Sequence, residues 1–173
     1  RARKLWTECF KPVLICVLVL APFRSAVADW NDVPTGSMKP TILEGDRIVV
    51  DKLAYDLKVP FTSWHVAEWG GPTNGDVVVC LSPKDGIRLV KRVIGVPGDS
   101  VAMRGNRLLV NDRASVYTPL APASVPWIQP RAHTFHTERL TAKDPGHSIM
   151  LTRSRFAGRD FGPVVVPQGH YLV

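Results

Sequence analysis

The chain has 173 residues, with 22 Lys and Arg against 15 Asp and Glu, a formal net charge of +7 and three cysteines. That length holds one domain, or a small core carrying an insertion, with room for a hydrophobic core. The odd cysteine set argues against a disulfide framework, and the absence of zinc-ligand spacing, a recognition helix or aromatic stacking motifs argues against a metal site and against nucleic acid as partner of the basic charge.

The charge is uneven. Residues 1–30 carry five Lys and Arg against two acids, residues 31–103 eight against nine, and residues 104–160 nine against four. Cys9 and Cys16 lie in the apolar N-terminal segment and Cys80 in the run Val77-Val78-Val79-Cys80-Leu81. All three read as small buried hydrophobes.

Residues 12–23 form an uncharged apolar block, preceded by Arg1, Arg3, Lys4 and Lys11 and followed by Arg24. Twelve residues are too few to span a bilayer, which takes roughly twenty. Extension from Leu5 to Trp30 supplies the length if Lys11 and Arg24 snorkel, with Trp6 and Trp30 at interfacial depth. Residues 1–30 therefore read as a cytoplasmic N-terminus and a transmembrane helix, oriented by the positive-inside rule. A cleavable signal peptide is the competing reading, because Ala26-Val27-Ala28 supplies an A-x-A pattern. A basic chain beside an anchor also implies contact with anionic membrane phospholipids.

From Val33 onward the sequence reads as mainly β. Arg47–Val50, Asp76–Leu81 and Arg88–Gly95 are short β-branched runs, and Ser100–Met103 leads through Arg104-Gly105-Asn106 into Arg107–Val110 as a hairpin. Fifteen prolines and thirteen glycines cut the chain into short strands, so residues 31–111 are predicted to form a small antiparallel β-barrel or packed-sheet core. Residues 112–162, spaced by Pro119, Pro122, Pro126 and Pro130, read as a loop-rich inserted subdomain, and 163–173 return to the core. The first residue is Arg and the last three, Tyr171-Leu172-Val173, are an apolar run, so the chain reads as a fragment.

Two segments carry chemistry. In Val33-Pro34-Thr35-Gly36-Ser37-Met38-Lys39-Pro40-Thr41-Ile42, two prolines and a glycine forbid regular helix, and the turn can present the Ser37 hydroxyl at a cleft. A plain loop serine is the alternative. In Leu89-Val90-Lys91-Arg92-Val93-Ile94-Gly95-Val96-Pro97-Gly98-Asp99, strand alternation puts Leu89, Lys91 and Val93 on one face and Val90, Arg92 and Ile94 on the other. Apolar company disfavours the charged ammonium, the condition under which a lysine serves as general base. A lysine snorkelling from a strand edge is the alternative.

Together these segments resemble bacterial type I signal peptidases (leader peptidases). Pro34–Thr41 looks like that family's nucleophile box, Glu44–Val50 its continuation, Asn74–Val79 its next strand and Lys91–Asp99 its lysine box, in the same order and after an apolar segment. The resemblance implies a membrane-bound serine endopeptidase of the bacterial inner membrane, single-pass, with its catalytic domain on the outer side. It would remove signal peptides from exported preproteins after small-x-small motifs, with no metal or cofactor. It also implies Ser37 as nucleophile and Lys91 as general base. The Ser37 N–H and the Thr35 hydroxyl would form the oxyanion hole, and Arg92 would be structural, paired with an acid from a later box. Val33, Pro34, Met38, Ile42, Val79, Leu89 and Val90 match walls of pockets that take a substrate strand. The family's last box, a Gly-Asp-Asn-Arg-Asp-Asn-Ser type run, follows a segment like Pro167–Val173 and is not in this sequence, so an inactive leader-peptide-binding membrane protein stays open. So does a conjugation-type peptidase that processes pilin. A self-cleaving repressor-type protease would carry a DNA-binding domain in place of residues 1–30.

Overall fold

A computed structural model of the chain describes residues 8, 10–62, 64–128, 133–142, 144–152 and 160–173. Arg1, Arg3, Lys4, Leu5, Trp6, Cys9 and Pro130, and residues 153–159 of the predicted insertion, lie outside them. The chain forms two compact units, Arg1–Asp32 with Arg47–Gly71, and Val33–Asp46 with Pro72–Val173.

In the first unit, helix α1 (Lys11–Ala26) begins with a proline in its first turn, where the missing N–H costs nothing. It ends where the Val27 N–H bonds to the Phe23 carbonyl (2.8 Å). The Lys52 ammonium donates to the carbonyls of Arg24 (3.1 Å) and Ser25 (3.2 Å), which the helix itself cannot satisfy. The predicted helix to Trp30 therefore stops four residues early. Residues 28–32 instead form β1 (Ala28–Asp32), whose backbone groups are satisfied by β2 (Arg47–Asp51), with Trp30 opposite Val49. Most apolar side chains of α1 from Val13 to Phe23 are exposed, and so is Cys16, which the sequence reads as buried; Cys80 is half-buried. Among the described residues no helix is long and apolar enough to cross a membrane. A second hairpin, β3 (Asp56–Lys58) with β4 (His65–Glu68), completes the unit; Phe61, Trp64 and Trp69 are exposed on it, and the Phe61 N–H bonds to the Ser25 hydroxyl at 2.7 Å.

The second unit is mainly β, as the sequence predicts, but among the described residues no sheet closes into a barrel. It holds the hairpin β5 (Val77–Leu81) with β6 (Arg88–Arg92), a four-stranded sheet and a three-stranded sheet. In the former sheet, β7 (Ser100–Arg104) and β8 (Arg107–Val110) are joined by Gly105 and Asn106 at φ 54° and 61°. Two successive positive φ angles make the tight turn whose twist matches a hairpin, and an Asn beside a Gly tolerates them. β9 (Arg113–Ala114) flanks β8, and β13 (Phe161–Val165) flanks β7. Val93 and Val101 are fully buried at the centre of the core.

The register of β13 shifts between Phe161 and Val164, around Gly162 (φ 81°). A Cβ at Gly162 would lie 2.6 Å from the Val101 carbonyl oxygen, so the two backbones touch there. The predicted run 88–95 ends as a strand at Arg92. Beyond it, the Val93 N–H goes to the Asp76 carbonyl (2.8 Å) and the Ile94 N–H to Leu172 (2.8 Å), with an isolated bridge between Gly95 and Leu172. Where composition announced a loop-rich insertion, the structure has the antiparallel sheet of β10 (Val116–Leu120), β11 (His133–Arg139) and β12 (His147–Thr152).

Candidate active site

The chain leaves the first unit at Asp32 and returns to it at Arg47, and the excursion between carries Ser37. Its base is closed by the Val33 N–H on the Asp46 carbonyl (2.9 Å) and the Gly45 N–H on the Val33 carbonyl (3.0 Å). Gly36–Met38 make a single 3-10 turn, entered from an extended Thr35 (φ −138°, ψ 151°) and left through an extended Lys39 (φ −62°, ψ 140°). The prolines flanking it, Pro34 and Pro40, stop the turn from growing into a helix. Met38 is buried and anchors the turn, while Ser37 and Thr35 are exposed.

β6 brings the second residue. The Lys91 ammonium donates to the Ser37 hydroxyl oxygen at 2.6 Å, across 54 residues of sequence. Thr35 Oγ1 lies 3.3 Å from Ser37 Oγ. The three polar side chains singled out in the sequence therefore meet at one point. Lys91 itself is half-buried. Its register partner on β5 is Val78, and Leu89 is paired with Cys80, so Val78 and Cys80 share the Lys91 face. Val79 is paired with Val90 on the opposite face. Of the pocket residues named from the resemblance, Val33, Met38 and Val90 are buried, Ile42, Val79 and Leu89 half-buried, and Pro34 exposed. Cys80 and Val78 could have been found from strand alternation once the β5–β6 pairing was known, but not from either strand alone.

The tail of the lysine segment is a scaffold. The Asp99 carboxylate accepts hydrogen bonds from Asn74 Nδ2 (2.9 Å), the Val96 N–H (3.0 Å) and Asn111 Nδ2 (2.7 Å). Burial opposes charge on Asp99, yet these three donors outweigh it and hold the carboxyl below its usual range. Asn74 Nδ2 also bonds the Ile94 carbonyl (2.8 Å), which ties the entry of β5 to the exit of β6.

Arg92 points away from Lys91 and donates through Nη1 to the Gly75 carbonyl (2.5 Å). Burial pushes its guanidinium below the usual value, and the charges of Asp144, Glu138 and Asp76 pull the other way. The resemblance assigns Arg92 an acid from a box that this sequence does not hold; among the described residues, acids on and beside β11 face it. Glu138 accepts from the Tyr117 hydroxyl and lies 3.1 Å from His147 Nε2, while Asp144 accepts from the N–H groups of Leu140 and Gly146, both at 2.9 Å. Burial and the Glu138 bond both push the Tyr117 hydroxyl well above its usual value, so it stays a donor. No short motif joins these residues, and nothing in the sequence announced the cluster.

The geometry has relatives. Residues 6–173 match the sequence model of the family described as signal peptidase, peptidase S26. A signal peptidase I of Pseudomonas fluorescens is 36% identical over 167 residues, covering 96% of this chain and 56% of the relative. One from Pseudomonas aeruginosa is 35% identical over 170 residues, with the same coverage of each. A third, from Buchnera aphidicola, is 38% identical over 96 residues, or 56% of this chain and 30% of its own length. The chain thus spans a little over half the length of the Pseudomonas proteins it matches. A family model that runs through the Ser37 turn, β5–β6 and the return strand β13 covers every element that builds the Ser37–Lys91 contact, and on that ground the chain belongs to the signal peptidase family, peptidase S26.

Proposed function

We propose that this chain is the catalytic part of a signal peptidase that cuts leader peptides from exported preproteins after small-x-small motifs, with Ser37 as nucleophile and Lys91 as general base. The observation that carries this reading is the 2.6 Å contact between Lys91 Nζ and Ser37 Oγ. In the resting pair a lysine N–H donates to the serine oxygen. Once neutral, the same amine turns its lone pair to the Ser37 O–H and takes that proton as Oγ attacks the carbonyl carbon before the cut. The oxyanion formed there would be met by the Ser37 N–H and the Thr35 hydroxyl. The Lys91 ammonium returns its proton to the departing amine, and water hydrolyses the Ser37 ester by the same shuttle. Val33, Pro34, Met38, Ile42 and Leu89 are read as walls for small side chains on the Lys91 side. Val79 and Val90, on the other face of the hairpin, would back those walls, and a substrate strand would bind by main-chain pairing.

Membrane attachment belongs to the same proposal: one span, N-terminus cytoplasmic, catalytic part on the outer side of the inner membrane, with phospholipid contact. Its support is the exposed apolar surface of α1 and the exposed aromatics Phe61, Trp64 and Trp69 on the hairpin bonded to its end at Ser25. A cleavable leader is less favoured, because Ala26 is buried and Asp29 is held by Arg24 (2.8 Å) and Lys52 (3.6 Å). In the full-length protein, Ser37→Ala should abolish cleavage of a fluorogenic Ala-x-Ala leader peptide with an unchanged circular dichroism spectrum; turnover by that variant would sink the peptidase reading. Alkaline carbonate extraction should leave the protein in the membrane pellet, and release of a soluble species starting at Asp29 would favour cleavage.

A further inference from the structure

The Ser37–Lys91 pair joins two elements that have no covalent reason to stay in register: a loop excursion and the end of a two-stranded hairpin. One exposed hydrogen bond contributes about 1 kcal/mol, too little to fix such a pair by itself. A reacting pair misplaced by 1 Å can lose about 10²-fold in rate. Something behind it must hold both elements.

We propose that the β11–β12 hairpin is a positioning clamp for this dyad, gripping the Ser37 loop through Thr41 and the Lys91 strand through Gly75 and Arg92. The first grip is direct: Thr41 Oγ1 donates to the Ser148 carbonyl on β12 at 3.1 Å, 107 residues away. The second is packed. Asp144, in the β11–β12 connection, sits against Gly75 so closely that a Cβ there would lie 3.2 Å from its Oδ1. Gly75 in turn is pinned to the end of β6 and the residue after it, by Arg92 Nη1 on its carbonyl and by its own N–H on the Val93 carbonyl (2.8 Å). Lys91 immediately precedes these two attachment points on the chain.

Charge explains why the grip is firm. Glu138 and Asp144 are 4% and 6% exposed, in a place where a lone carboxylate would be strongly unfavourable. Their partners are Tyr117, His147 (Nε2 3.1 Å from Glu138, Nδ1 3.6 Å from Asp144) and, across the gap to β6, Arg92. The Arg139 side chain packs beside Gly146, and Asp76 faces Arg92 from the entry of β5. Removing the two acids leaves the half-buried Arg92 with Asp76 alone of the three acids that face it, so the guanidinium should seek water and draw β6 with it. Glu138, Asp144 and Thr41 are thus positioning residues, and none needs to touch substrate.

This proposal rests on the peptidase reading, and its test separates the two. In the full-length protein, kcat and KM are measured on one leader peptide for Glu138→Gln/Asp144→Asn, for Arg92→Met and for the combined variant. Backbone hydrogen exchange at Val93 and Ile42 is followed in parallel. The acid pair should lower kcat about 10- to 100-fold with KM within about twofold, and Val93 should exchange faster. The combined variant should be no slower than Arg92→Met alone, because the acids act through that residue. Unchanged kcat, a loss confined to KM, or multiplicative losses in the combined variant would overturn the clamp. Thr41→Val covers the case in which the acid-pair variant does not fold. It should lower kcat several-fold and speed exchange at Ile42, with rescue by Thr41→Ser; wild-type kcat and exchange would overturn that grip. A peptidase failure shows instead as turnover by Ser37→Ala, and the exchange readout needs no turnover.

Discussion

On the Lys91 face of β6, Ser37 and Thr35 are exposed, and they share with the half-buried Lys91 one short and one long hydrogen bond. On the Arg92 face, Glu138 and Asp144 are buried and each accepts from two donors. One strand thus separates a polar group set kept open from one kept closed. The open set needs unused hydrogen-bonding capacity and an approach for a substrate carbonyl. The closed set spends its capacity internally and gains rigidity, since every lost partner there would strand a buried charge.

Changes on the open face should therefore cost rate and little stability. Lys91→Arg should lower kcat by roughly 10⁴-fold, because a guanidinium cannot give up its proton at usable pH, while the melting temperature stays within a few degrees. Stopped assays on the leader peptide, with thermal melts alongside, check both halves. Thr35→Val keeps the β-branched shape of the extended residue before the turn and removes only the hydroxyl. About 10²-fold should be lost from kcat, with most of it restored in Thr35→Ser; a rate unchanged in Thr35→Val would remove Thr35 from the oxyanion hole.

Scaffold carboxylates should behave in the opposite way. Asp99→Asn replaces an acceptor of three hydrogen bonds with a group that turns an amide towards donors. It should cost about 1–2 kcal/mol in denaturant unfolding at neutral pH, at the lower end because the site is partly wet. The sign of the pH dependence follows from the lowered carboxyl. In the wild type this stabilisation is present above the ordinary value of 3.8 and is lost as pH falls through the lower folded value, whereas the Asn variant lacks that part of the acid limb. Lys52→Met, which removes the cation from the carbonyls ending α1, should cost only about 0.5 kcal/mol and show as faster exchange in the last helical turn.

The two faces were also unequally legible. Ser37 and Lys91 each sit inside a continuous segment whose local chemistry is unusual, a proline-bounded turn and a charged residue in a β-branched run, so sequence reading found them. The strand runs 47–50 and 76–81 and the hairpin through Gly105-Asn106 were legible for the same reason, since period-2 apolar patterns and turn residues act locally. Tyr117, Glu138, Asp144 and His147 come from two strands and a connection, and only the β10-β11-β12 pairing brings them together. β11 reads His-Thr-Phe-His-Thr-Glu-Arg, whose buried members include a glutamate, so its inward face looks polar in sequence. The end of α1 was misread because apolarity continues past Ala26, whereas pairing with β2 decides the conformation of residues 28–32. β3–β4 was missed because its aromatics are exposed and give no inward stripe.

Gly162 bears on how this fold can drift. With φ at 81° and the Val101 carbonyl where a Cβ would stand, it accepts no other residue without moving β13 off β7. Gly98 and Gly105 also have positive φ, yet nothing lies within 4 Å of a Cβ at either, so asparagine or aspartate can replace them at a modest backbone cost. In a saturation-mutagenesis survey scored by abundance, the first position should be an empty column and the other two partly filled. The neighbourhood of Val101 would then change only by concerted substitution, while the tips of the turns remain free to vary.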